Sequence, residues 1–216
     1  MGYYRLRDIK TPPFAYVVNK EEVVHACSLC QMPIEEMQGR LEVEICAAAS
    51  DQWQERLKGR PLMADHWMIG DEHFAVLLES KFPNAFQKIP ITITSWLTRG
   101  PMALLAEPGD LFKAQVHPGN PSYFYFRPKH QIELAPSVLN TFPPIRCCEC
   151  ERDIPDIPMD FQPIPDTDEH APVAASLRGL YLEGYDYLFN EETTLFLESR
   201  FPEMILEKLV PEPLPI

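Results

Sequence analysis

Glycine is scarce in this chain, with 9 in 216 residues. Phosphate-cradling loops and nucleophile elbows use glycine to bring backbone close to a ligand. No such signature occurs, and none of the kinase motifs, so the expectation is a protein that is not an enzyme. Long apolar runs are also missing: nothing approaches the ~18 uninterrupted apolar residues of a membrane span. The start, Met1-Gly2-Tyr3-Tyr4-Arg5-Leu6, reads as neither a signal peptide nor a myristoylation site, because Leu6 stands where a hydroxyl is needed. The expected location is cytoplasmic, with no membrane partner. Basic residues are few as well, 19 Lys and Arg against 32 Asp and Glu, for a net charge of −13. Such a field repels nucleic acid, which is excluded as a partner.

What is present begins with the placement of that charge. Residues 1–150 hold 17 acids and 15 bases, whereas residues 151–216 hold 15 acids and 4 bases, so the last third alone carries −11. A field of this kind speeds encounter with a basic protein or simply keeps the chain soluble. Hydrophobic residues make up 45% of the chain, enough to build a core without disulfides. Pro143, Pro144, Pro155, Pro158, Pro163, Pro165 and Pro172 fall within 30 residues and exclude regular helix or central strand there. This stretch reads as an extended acidic connector, and it places a boundary near residue 140. The expected division is a half at 1–139 and an acidic half at 140–216, which can also pack as one domain.

Six cysteines include two CxxC pairs, Cys27-Ser-Leu-Cys30 and Cys147-Cys148-Glu-Cys150, offset by 120 positions. In a reducing cytosol this spacing points away from structural disulfides. One tight CxxC knuckle presents two thiolates, and two knuckles complete the tetrahedral shell of a structural zinc ion. The expected ligands are Cys27, Cys30, Cys147 and Cys150, with Cys148 or His25 as the substitute. Reduced buried thiols and a redox pair are the other readings, the last disfavoured because neither CxxC follows a clear strand and opens a clear helix. Gln31 and Glu151 stand where zinc knuckles often use glycine to reach a left-handed backbone. Cys46, in an apolar run, reads as a small core residue.

A second pair of segments matches at almost the same offset. Leu78-Glu-Ser-Lys-Phe-Pro83 and Leu197-Glu-Ser-Arg-Phe-Pro202 are 119 residues apart. The β-prone runs Phe74–Leu78 and Thr193–Leu197 are expected to be strands, with Ser80 and Ser199 capping short helices that follow. Edge strands are then expected over 90–96 and 212–216. Residues 41–46 alternate as a strand, Asp51 opens a short helix, and 112–116 with 122–127 read as a hairpin around His117-Pro-Gly-Asn-Pro121. The fold class expected is α+β, built from two related halves that each contain a strand–short helix–strand element, with Pro-rich loops and a zinc-knuckle clasp. His66, Asp71 and His73 could serve a small metal-dependent hydrolase, but they match neither HExxH nor a facial triad.

Two spaced CxxC pairs, the element Leu195-Phe-Leu-Glu-Ser-Arg-Phe201 and the apolar tail resemble the double-CxxCG immunity proteins of bacterial swarming-inhibition toxin systems, and other polymorphic-toxin immunity families. The resemblance covers the cysteines and about the last 40 residues; it departs at Gln31 and Glu151, which replace the family's glycines. It implies an antitoxin that binds and neutralises a cognate toxin domain by occlusion. The toxin is expected to be basic, with Asp153, Asp156, Asp160, Asp166, Asp168 and Glu169 as its binding surface. The alternative is a zinc-stabilised, non-catalytic scaffold or adaptor that binds another endogenous protein.

Overall fold

The structure is a computed structural model that describes residues 3–9, 14–23, 27–30, 39–48, 57–65, 67–99, 112–114, 122–132, 136–151, 153–155, 171–176 and 186–209. It is mixed α+β, with short helices and many strands. Two compact units divide it: residues 9–23 and 38–127 form one, and residues 1–8, 24–37 and 128–216 the other. The unit boundaries therefore do not follow a single break near residue 140. Among the described residues no helix is long and apolar enough to cross a membrane.

The unit of residues 9–23 and 38–127 is built on a barrel-like sheet. Its strands are β2 (Phe14–Val17), β3 (Glu42–Ala48), β4 (Leu62–Ala64), β5 (Trp67–Asp71), β6 (Phe86–Arg99), β7 (Phe112–Ala114) and β8 (Tyr123–Pro128), with α1 (Lys20–Val23) and α2 (Glu72–Lys81) beside them. The order is β3-β2-β4-β5-β8-β6-β7, and a further β3–β6 pairing closes six of the strands. β3 occupies the strand expected from the 41–46 alternation: Val43 and Ile45 are fully buried while Glu42 is exposed. The hairpin expected over 112–127 does not form. β7 pairs with β6 through Trp96↔Ala114, and β7 and β8 each pair with β6 rather than with one another. The 14-residue β6 is long enough to take several partners, and its residues 96–98 pair with β3 on one edge and with β7 on the other.

The other unit carries a five-stranded sheet made of β1 (Tyr3–Ile9), β9 (Gln131–Ile132), β12 (Val173–Ser176), β13 (Asp186–Asn190) and β14 (Met204–Lys208), in the order β14-β1-β13-β12-β9. A short hairpin, β10 (Pro144–Arg146) with β11 (Asp153–Pro155), flanks the second cysteine pair. The helices are α3 (Pro136–Thr141) and α4 (Glu191–Arg200). Tyr3, Ile132, Ala174 and Leu188 form a buried cluster, and the Tyr3 hydroxyl donates to the Ala171 carbonyl at 3.3 Å.

The matching LESxFP segments take the opposite assignment from the one their composition suggests. Phe74–Leu78 and Thr193–Leu197 are helix, the interior of α2 and α4, and the strands follow them as β6 and β14. Each helix starts on a side chain: Asp71 accepts from the Phe74 N–H and Asn190 from the Thr193 N–H. Glu72 in one first turn, and Glu191 and Glu192 in the other, complement the positive end of the helix. Ser80 and Ser199 lie in the last turn and donate to the Leu77 and Phe196 carbonyls, each at 2.8 Å, so they are not N-caps. The helices stop because Pro83 and Pro202 push the preceding residue out of helical backbone: Phe82 has φ −128° and ψ 67°, and Phe201 has φ −131° and ψ 74°. The regions 84–88 and 203–208, expected to be helices, are instead a turn leading into β6 and the strand β14. The 90–96 strand exists within β6, and the expected 212–216 strand lies outside the described residues.

The two β–α–β stretches, β5-α2-β6 and β13-α4-β14, agree in burial as well as in order. Leu78 and Leu197 are buried, as are Phe82 and Phe201, while Val76 and Leu195 both face solvent. One pair of positions trades size. Gly70 sits under the fully buried Phe74, and a Cβ on residue 70 would lie 2.4 Å from Phe74 Cδ1. At the corresponding positions, 119 residues on, the large side chain is on the strand as Phe189 and the small one on the helix as Thr193, both buried. Phe74 cannot simply move aside, because its ring packs edge-on against Phe126 at 5.2 Å.

Gly70→Ala should therefore destabilise by about 1–3 kcal/mol through overpacking. Combined with Phe74→Thr, its cost should fall by at least ~1 kcal/mol below the sum of the single changes, as measured by denaturant unfolding of the four members of the cycle. Additive costs would show that residues 70 and 74 do not share the space.

Candidate metal centre

Within the unit of residues 1–8, 24–37 and 128–216, two tight turns carry the cysteines. Residues 28–30 and 148–150 are both turns, and the Glu151 N–H closes the second one on the Cys147 carbonyl at 3.0 Å. Cys27, Cys30, Cys147 and Cys150 come together, their sulfurs all within 4.8 Å of one another. The contacts join like with like: Cys27 Sγ lies 3.7 Å from Cys147 Sγ, and Cys30 Sγ lies 3.6 Å from Cys150 Sγ. These distances rule out disulfides, whose sulfurs sit at ~2.05 Å. They match the ~3.8 Å edge of a tetrahedron of sulfurs placed ~2.3 Å from a central zinc.

Burial and electrostatics both bear on what this cluster can hold. Cys27 is 0% exposed and Cys147 6%, while Cys30 and Cys150 are half-buried, so the shell is closed on its inner side. The backbone N–H groups of Cys150 and Glu149 point at the Cys147 sulfur and lower its pKa from the ordinary 9.0 to about 7. A thiolate is the form that binds a metal, and four of them leave no open position for water or substrate. The set fits a structural ion rather than a catalytic one.

Two residues beside the cysteines complete the arrangement. Glu149 accepts from the Ser28 hydroxyl at 2.8 Å through both carboxylate oxygens, and from Cys27 Sγ at 3.4 Å. The Ser28 and Cys27 bonds hold its carboxyl below the usual carboxylate range. One knuckle's middle residue thereby latches onto the other's. Nothing in the spacing of Ser28 and Glu149 marks them in advance, because either middle position of a CxxC accepts almost any residue. Cys148 is exposed and outside the cluster, so it is not needed as a substitute ligand. His25 and Gln31 lie outside the described residues, as does the side chain of Cys46.

The missing glycine at the second knuckle does not prevent the turn. Glu151 adopts φ 59°, the left-handed conformation that glycine would supply. For a residue with a Cβ this costs about 1–2 kcal/mol. The Arg146–Glu151 ion pair at 3.2 Å is solvent-exposed on both sides and offsets little of that.

The other expected sites fare differently. Asp153 is exposed in β11, opposite Arg146 in the hairpin register. Asp156, Asp160, Asp166, Asp168 and Glu169 lie outside the described residues. Asp71 is buried in the role of helix cap, accepting from Phe74 N at 2.9 Å and from Gly59 N at 3.0 Å, with His73 Nδ1 at 3.3 Å. That it has a counterpart in Asn190, which caps α4 in the same way, favours capping over chemistry. His66 lies outside the described residues. Comparison with protein-family models, with curated proteins and with solved structures finds no match to this chain.

Purified chain should carry about one zinc by elemental analysis, as a four-thiolate site binds one ion. Cys27→Ser should lose it and Cys148→Ser should keep it; equal zinc in both variants would contradict the ligand set. Glu151→Gly should raise the unfolding free energy by about 0.5–1 kcal/mol, the left-handed cost less the greater freedom of glycine in the unfolded chain. A destabilised Glu151→Gly protein would show that the side chain, and not the backbone, governs this turn.

Proposed function

We propose that this chain is a non-enzymatic immunity protein, held together by a structural zinc ion, that neutralises a basic toxin domain by occluding its active site or substrate path. The observation that carries the reading is the convergence of two CxxC knuckles, 120 residues apart, on one four-sulfur cluster. It supports the resemblance to double-CxxCG immunity proteins, because in that resemblance the pairs serve one protein and not two separate ribbons. The ion would act as a clasp: metal binding free energy becomes folding free energy when the ligands come from distant segments. We further read the chain as two related halves, on the strength of the matching β–α–β stretches, the common caps and the size exchange between residues 70, 74, 189 and 193.

The working surface in this reading is the acidic segment that the second knuckle introduces. Asp153, Asp156, Asp160, Asp166, Asp168 and Glu169 place six carboxylates within 17 residues of proline-rich sequence. An extended acidic strand can follow a basic cleft, and its field raises the rate of encounter with a cationic partner. The toxin would meet this chain in the cytoplasm.

The test is co-expression with the product of the adjacent gene, followed by binding measurements across a salt series. The complex should form, and neutralising the six acids to Asn or Gln should weaken it at least tenfold and flatten its salt dependence. An adjacent product that neither binds nor harms cells lacking this chain would contradict the immunity role. Unchanged affinity in the neutralised variant would instead move the binding surface elsewhere.

A further inference from the structure

β1 and β8 are related to one another in the same way as the β–α–β stretches. Tyr3-Tyr-Arg-Leu-Arg7 and Tyr123-Phe-Tyr-Phe-Arg127 share their first and last residues at an offset of 120. Tyr3 and Leu6 are buried in one, Tyr123 and Phe126 in the other. With the chain divided near residue 120, as the offset requires, each is the first strand of its half, yet neither lies in a sheet with the other strands of that half.

The pairing registers make this definite. β1 runs antiparallel to β13 with Tyr3↔Asn190, Tyr4↔Phe189 and Arg5↔Leu188. β8 runs antiparallel to β5 with Tyr123↔Asp71, Phe124↔Gly70 and Tyr125↔Ile69. Shifting β8 back by 120 and β5 forward by 119 turns the second register into the first, residue for residue. The sheets agree more widely. The order β14-β1-β13-β12-β9 corresponds strand by strand to β6-β8-β5-β4-β2. The sense of pairing agrees too: β12–β13 and β4–β5 are antiparallel, and β9–β12 and β2–β4 are parallel. In each sheet four of these strands come from one half of the chain, and the strand in second place comes from the other half.

We propose that the molecule is one ancestral repeat joined to itself as a strand-exchanged dimer, in which the first strand of each half completes the sheet of the other. This rests on the relation between halves proposed above, and not on the toxin-binding role. The cysteines follow the same pattern. They pair like with like at the same offset of 120: Cys27 meets Cys147 and Cys30 meets Cys150. The metal centre is then a site that neither half can form alone, half of its shell coming from each. Because β1 lies between β14 and β13, its loss would open a gap inside a sheet rather than trim an edge, leaving backbone groups on both neighbours unpaired.

The full-length chain tests this directly. A protease site inserted between Ala114 and Ser122 allows it to be nicked into two pieces after folding. Directly opposed antiparallel residues suit a disulfide, since their Cα atoms stand ~4.5–5.5 Å apart. The pairs Arg5→Cys with Leu188→Cys, and Ile69→Cys with Tyr125→Cys, should each oxidise to a cross-link joining the two pieces, identified by peptide mapping so that the native cysteines cannot be mistaken for it. The unexchanged arrangement predicts the opposite pairs, 5 with 69 and 125 with 188, both within one piece; their formation would overturn the exchange while leaving the halves related. Failure of all four pairs would overturn the registers themselves. For the chain without added cysteines, the nicked protein should elute as one species of unchanged size, with and without chelator. Two separately eluting folded pieces would also overturn the proposal.

Discussion

Four sulfurs held within 4.8 Å, with a carboxylate beside them, are the constraint around which one unit of this protein is arranged. As thiols they are weak hydrogen-bonding groups that pack passably. As thiolates they repel one another and Glu149, and Cys147 is already poised to ionise near neutral pH. A divalent cation reverses the sign of that interaction and converts a liability into a clasp. The turns that present the cysteines, the left-handed backbone at Glu151 and the Ser28–Glu149 latch all serve to place sulfur atoms at tetrahedral spacing.

Each unit, taken by itself, uses the same small set of local solutions. A buried or half-buried polar residue ends a strand and caps a ten-residue helix; a Phe-Pro step ends the helix and turns the chain into the next strand. Asp71 and Asn190 show that the cap needs a short side-chain oxygen and not a charge. Gly70 with Phe74, against Phe189 with Thr193, shows that the packing needs one large ring per strand–helix junction and is indifferent to which element supplies it. These are equivalences of physical role rather than of residue identity.

Much of this was legible in the sequence, though not always with the right assignment. The cysteine spacing pointed to the four residues that cluster, because CxxC geometry is local and brings its two sulfurs to one turn. The LESxFP match is visible, but the composition of the runs before it points to strands, since Phe, Val and Thr favour β structure. The helical signal was the spacing of Phe74, Leu78 and Phe82, four residues apart, with Asp71 three residues before the first. That β1 joins the sheet of β13 and β8 that of β5 was not legible, because a strand's pattern shows which face it buries and not which sheet it joins. The expected 112–127 hairpin failed for the same reason: adjacency in sequence is only a tendency toward adjacency in a sheet.

The central claim is that two distant CxxC pairs make one closed zinc site. X-ray absorption at the zinc edge of the purified full-length protein tests it most directly. The account predicts a single shell of four sulfurs at ~2.3 Å. A first shell containing nitrogen or oxygen, or a chain that folds fully and retains no zinc, would contradict it.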